Sequence, residues 1–206
     1  ALHPVDPTHL SHWLPLVVEP VPVNFKSLQQ TYEIDLRTIH GVPCPVLLRK
    51  AIAYDAPPGN ICIFCHFDAE STLQKCVDHP DWMKLQLGTL DCAYSRKFFN
   101  INFDDCVIQD PVPCDTISAM LKPYKLSMQV VSMIQIDVEE YEKIMVPGLL
   151  QESDTLPPVI NFEHKVMKNQ DRQKGTTHLK DLLKLLKQKG YQLFDGGEDI
   201  LAVLFE

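Results

Sequence analysis

The last fifty residues constrain the fold most. Pro157 and Pro158 lead into the apolar run Val159 to Phe162, and a helix-period pattern follows downstream. Leu179, Leu182, Leu183 and Leu186 share one helical face. Thr176 or Thr177 can cap that helix, Lys187 and Lys189 suit its C-terminal dipole, and Gly190 ends it. Tyr191 to Phe194 and Ile200 to Phe205 then flank Asp195-Gly196-Gly197-Glu198-Asp199, a hairpin signature. Upstream, Leu14–Val18, Val46–Ala53, Asn60–Phe67 and Val130–Val138 read as strands, the first followed by a helix from Pro22 that aligns Phe25, Leu28 and Tyr32. Thr116 to Tyr124 reads as a short helix, and another starts near Glu140. Alternating strands and helices predict an α/β sheet, largely parallel and closed by an antiparallel hairpin. Residues 68–110 lack periodicity and predict loops and short elements, and residues 1–13 predict an irregular lead into a domain spanning 14–206.

In an open α/β sheet, ligands bind outside the carboxyl ends of the parallel strands. Three predicted strands end in carboxylates there: Leu14–Val18 at Glu19, Val130–Ile136 at Asp137 with Glu139 beyond, and Val159–Phe162 at Glu163 beside His164. Singly, each acid also reads as a helix N-cap. Together they point to a shared crevice. Glu19 ends an early strand, where an acid accepts hydrogen bonds from both hydroxyls of a ribose, as in nicotinamide dinucleotide or S-adenosylmethionine sites.

At these residues the chain resembles the FkbM family of S-adenosylmethionine-dependent methyltransferases. The segment LVVEPVPVNFKSL is similar to that family's second strand and helix, and RKAIAYDAPPGNICIF to its third strand and turn. VPCDTISAML resembles V-P-V-x-T-L-D-x-L-L. IQIDVEEYEKIMVPGLL resembles K-I-D-V-E-G-x-E-x-x-V-L-x-G, the most specific match. PPVINFEH and GYQLFDGGEDILAVL resemble the fifth strand and the final hairpin. The resemblance implies a Rossmann-like three-layer sandwich and methyl transfer to a hydroxyl of a small molecule or glycan. It implies cofactor contacts at Glu19, Ala53 and Asp137, catalytic roles for Asp137 and Glu139, and acceptor contacts at Glu163 and His164.

This sequence departs from the pattern at Gln135, Glu140 and Ser118, where the family has Lys, Gly and Asp. The family's first strand and its D-x-G-A-N-x-G loop, which holds the methionine half of the cofactor, belong before Glu19. Residues 1–13 contain no glycine and no apolar strand, and the whole chain has 8 Gly against 16 Pro. The expectation is a domain lacking that strand and loop. The strands ending at Glu19 and Asp137 then either pair, split apart, or take a substitute between them. The alternative function is a non-catalytic methyltransferase-like domain that binds a partner. A nicotinamide-dependent enzyme is the third reading.

Charge and cysteine narrow the partners. Net charge is −8, a poor match to nucleic acid. From Lys165 to Lys189 there are eight Lys/Arg and two Asp, a net +6, while the remainder carries 11 basic and 25 acidic residues. That stretch reads as a solvated helix face or as a patch for an anionic partner. Its leucines read as core rather than membrane contacts. No apolar run is long enough to span a membrane. Seven scattered cysteines, an odd number, read as free thiols in a reducing compartment, hence a cytoplasmic location. Cys62-Ile63-Phe64-Cys65-His66 matches a haem-attachment spacing, but a strand there would send its cysteines to opposite faces. His9 and His12 make no zinc spacing, no metal site is indicated, and Ser71 and Thr72 lack a hydrolase elbow. Gly196-Gly197 opens no helix and so is not a phosphate loop.

Overall fold

The structure, a computed structural model, describes residues 14–32, 45–68, 70–78, 88–90, 92, 103–138 and 141–205. The lead segment 1–13, with His9 and His12, and both Glu139 and Glu140 lie outside the described residues.

The fold is mixed α/β, with parallel and antiparallel strands in three sheets. β1 (Leu16–Val18) pairs in parallel with β2 (Val46–Leu48), and α1 (Pro22–Gln30) joins their layer. Pro22 stands at the first position of α1, where its missing N–H costs nothing. The second sheet runs β3 (Ala51–Ile52), β6 (Val107–Asp115), β4 (Asn60–Phe67) and β5 (Gly88–Thr89). The short helices α2 (Gln74–Val77), α3 (Phe103–Cys106) and α4 (Ile117–Leu121) follow β4 in the chain. The third runs β7 (Met133–Ile136), β8 (Val159–Glu163), β10 (Asp199–Leu204) and β9 (Tyr191–Asp195).

In the third sheet β7 and β8 are parallel, while β10 runs antiparallel to both β8 and β9, as the hairpin signature predicts. Gly197 takes φ +98° in the turn, a conformation L side chains resist. Alternation in the strands sends Ile134, Ile136, Ile160, Phe162, Ile200 and Ala202 to one face. Onto them pack Met145, Val146, Leu149 and Leu150 of α5 (Glu142–Glu152) and Leu182 and Leu186 of α7 (His178–Gln188). The opposite face carries the register row Gln135, Asn161, Leu201, Phe194, with Phe194 48% exposed. Among the described residues this sheet is therefore covered on one face, two layers where the resemblance implies three.

Sequence and structure differ in four other places. Val46–Ala53 is not one strand: it breaks after Leu48, pairing with β1 before the break and with β6 after it. β6 was hidden because Pro111 and Pro113 interrupt its pattern. They fit because, among the described residues, β3 meets β6 only at Cys114 and Asp115, leaving 107–113 an open edge on that side. α6 (Lys165–Lys174) has too few apolar residues to announce itself, burying only Met167. The cap of α7 also differs: Asp171 accepts from the His178 and Leu179 N–H groups at 3.2 and 2.8 Å, and from the Thr176 hydroxyl at 2.5 Å. Burial alone would raise its carboxyl, but these bonds hold it below the usual range.

The cysteine reading is overturned. Cys62–Cys114, Cys65–Cys92 and Cys76–Cys106 are disulfides, and Cys44 lies outside the described residues. The second sheet buries only two small clusters, Val21, Ala51, Ala53, Phe64, Val112 and Cys114 on one side and Cys65, Phe67, Cys76 and Cys106 on the other. Cores of that size hold poorly without covalent staples. Cys62 and Cys65 do face opposite sides of β4, and each is consumed by a different bridge. His66 is buried with Nδ1 2.9 Å from the Phe67 carbonyl. The haem-like spacing is a stapled strand.

Candidate functional site

Among the described residues β1 pairs only with β2, and β7 only with β8, so each keeps one open edge. Between them lies a cleft of about 440 Å³. Val18, Glu19 and Pro20 line it from the end of β1, with Asn24 from α1. Lys50, Ala51 and Ile52 enter from the β2–β3 break, and Phe64, Gly88 and Leu90 from the disulfide-stapled sheet. Asp137, Val138 and Tyr141 close it from the end of β7. Glu19 and Asp137, far apart in sequence, thus share one cavity at the carboxyl ends of two parallel strands.

Glu19 is both a cap and a cavity wall. Its Oε1 accepts the Val21 N–H at 2.8 Å. Burial raises its carboxyl above the usual range, opposed by the bonds from Val21 and from the Asn24 side chain. Ala53 does not reach the cleft. It is buried in the adjoining core, and its N–H is spent on the Asp115 carbonyl at 3.1 Å. Lys50, which the sequence did not single out, stands at the cleft with Nζ 2.5 Å from Asp115 Oδ2, while Asp115 Oδ1 accepts the Gly59 N–H. This part-buried pair ties the β2–β3 break to the end of β6.

Two of the three strand-end acids, Asp137 and Glu163, converge with Glu142 of α5, while Glu19 stands apart from them and Glu163 does not line the cleft. Carboxylate oxygens of Asp137, Glu142 and Glu163 lie within 4.8 Å of one another. An all-oxygen set like this is of the kind hard cations such as Mg²⁺ or Ca²⁺ use. Glu142 is the buried member, 2% exposed, and accepts the Val138 N–H at 2.9 Å. It holds the second Glu position of the K-I-D-V-E-G-x-E pattern, the signal that could have found it. His164 is not at the cleft. It is buried, with its N–H and Nδ1 both on the Glu198 carbonyl, at 2.9 and 2.7 Å, so it anchors the hairpin turn. Glu163 sits half-buried, Cα-paired with Asp199.

Burial first, and then mutual repulsion, sets the protonation of these carboxyls. Burial raises Glu142 to about 7, with Glu163 and Asp137 adding repulsion. Asp137 is raised by burial and then by Asp199, and Glu163 by burial and then by Asp137. A carboxyl raised in the fold stabilises it fully below its unfolded value, near 4.5 for Glu142, and loses that contribution as pH rises to about 7. Stability should therefore fall between about pH 5 and 7 and level off above it. Urea midpoints across that range read the slope, and Glu142→Gln should flatten it while raising the midpoint at pH 8.

Behind the cleft a chain of hydrogen bonds ties the stapled sheet to α5. The Tyr141 hydroxyl donates to Asp55 and accepts the Tyr54 N–H, and the Tyr54 hydroxyl donates to Glu152 at 2.7 Å. Burial first, then the neighbouring carboxylate, pushes both phenols well above the usual range. Gly148 makes this possible: a Cβ there would lie 2.3 Å from the Tyr54 ring. That is a physical reason for the final Gly of the signature. Of the departures, Gln135 has a structural use, its side chain accepting from Asn161, whereas at Ser118 it is the backbone N–H that donates to Glu152 and the side chain's identity has no structural explanation.

No protein-family model matches this chain, and no curated protein or solved structure matches it. The functional reading therefore rests on the cleft and on the sequence pattern. No helix among the described residues is long and apolar enough to cross a membrane.

Proposed function

We propose that the cleft binds the nucleoside half of S-adenosylmethionine and that the domain is built for methyl transfer of the FkbM type, to a hydroxyl of a small molecule or glycan. The observation that carries this is the meeting of Glu19 and Asp137 in one cavity. Glu19 accepts from the Val21 N–H and the Asn24 side chain, and a carboxylate with about four lone-pair sites keeps further acceptor capacity for a ribose diol. Phe64, Val18 and Leu90 offer apolar contact for a base. Methyl transfer to oxygen needs in-line positioning and exclusion of water, and a carboxylate that takes the acceptor's proton. Asp137, which lines the cleft and belongs to the acid cluster, is the carboxylate this reading assigns to that step. Three disulfides favour an oxidising compartment over the cytoplasm for this chemistry.

Isothermal titration with S-adenosylhomocysteine, adenosine and NAD tests the reading. Homocysteine-bearing and plain nucleoside should both bind and compete. Glu19→Ala should weaken them by about 1–3 kcal/mol, the cost of orphaned hydrogen bonds. Binding of NAD alone, or an affinity unchanged by Glu19→Ala, would overturn it. A domain that binds partners without chemistry predicts no binding of either nucleoside.

A further inference from the structure

The basic stretch forms a surface that the cleft does not use. α7 sends Leu182 and Leu186 into the core beneath it. Beside that buried stripe run two rows along the helix. Leu179 and Leu183, four residues apart, are half-buried, and Lys180, Lys184 and Lys187 stand exposed next to them. With Gln188 they line a shallow groove of about 690 Å³. The three lysines make no ion pair among the described residues, although the chain outside 165–189 carries 25 acids. α6 packs against α7 and adds Arg172 and Lys174 in its last turn.

We propose that this groove docks an acidic amphipathic helix of a protein partner. An apolar row beside a cationic row, both at helical spacing, is the complement of a helix with Leu at i and i+4 flanked by Glu or Asp. The charge complementarity is one-sided: the groove offers three unpaired cations and no acid among its lining residues. A polyanion such as a sulfated glycan would use the lysines and have no use for the leucine row. A lipid surface needs apolar side chains free to insert, whereas Leu179 and Leu183 already pack partly against the core. The lysines set the encounter rate and orientation, and the leucines hold the bound helix.

The test is fluorescence anisotropy of the full chain with a labelled peptide of about three heptads, carrying Leu at the core positions and Glu beside them. A scrambled peptide of the same composition, heparin and phosphatidylserine vesicles are the other arms. The ordered peptide should bind in a salt-sensitive way, and the scrambled one should bind about tenfold or more weakly. The double variant Lys180→Glu, Lys184→Glu, which spares Lys187 in the last turn, should lose most of the peptide binding while its circular dichroism stays as before. Lys180→Gln, Lys184→Gln, Lys187→Gln should retain part of the binding, through the leucine row, with less salt dependence. Equal binding of the scrambled peptide, unchanged binding by the charge-reversed variant, or capture of heparin or vesicles without the peptide would each overturn the proposal.

Discussion

Replacing Phe162 by Ala is expected to lower unfolding free energy by about 3–5 kcal/mol, the range for emptying a buried aromatic site. Phe162 is fully buried in β8, the strand that joins β7 to β10. Its ring belongs to the cluster that seats both α5 and α7, so neither helix can close the void without leaving the other. Chemical denaturation measures it. A loss under about 1 kcal/mol would mean that the third sheet is not the main core. Since Glu163 and the acid cluster follow directly on this strand, the same variant should also flatten the pH slope set by Glu142.

The second large effect belongs to the disulfides. The Cys62–Cys114 bridge closes a loop with a sequence separation of 52. Loop-closure entropy puts its contribution at about 4 kcal/mol, within the range of about 2–5 kcal/mol seen when native bridges are removed. Cys62→Ala with Cys114→Ala should show that loss, and non-reducing peptide mapping should then still find Cys65–Cys92 and Cys76–Cys106. The bridge joins β4 to the end of β6, next to the Asp115 that holds Lys50 at the cleft. Loss of the bridge should therefore loosen the cleft wall as well as the stapled sheet. A chain purified from an oxidising compartment with all seven cysteines as free thiols would contradict the bridging pattern.

Much of the fold was legible because periodicity and turn chemistry agree at the C-terminal end. The helix at Leu179–Leu186, the hairpin across Asp195–Asp199 and the strand Val159–Phe162 stand close to where the residues put them. The second sheet was not legible, for two reasons. Pro111 and Pro113 disguise β6, and the long-range pairing of cysteines cannot be read from their spacing alone. At the site, Glu19 and Asp137 were visible as acids ending apolar runs, and the fold does bring them together. Ala53 and His164 were also at strand ends, but hydrogen bonds to Asp115 and Glu198 take them inward. Glu142 and Lys50 were missed because each acts through partners close in space but distant in sequence, Glu163 and Asp115, which no local pattern displays.

The central claim is that the open edges of β1 and β7 frame a nucleoside site. Hydrogen–deuterium exchange with and without saturating S-adenosylhomocysteine tests it most directly. Protection should appear together in the peptides covering Val18–Asn24 and Ile136–Val138, and leave Leu179–Gln188 unchanged. Protection absent from both cleft peptides, or confined to residues outside the cleft, would contradict the account.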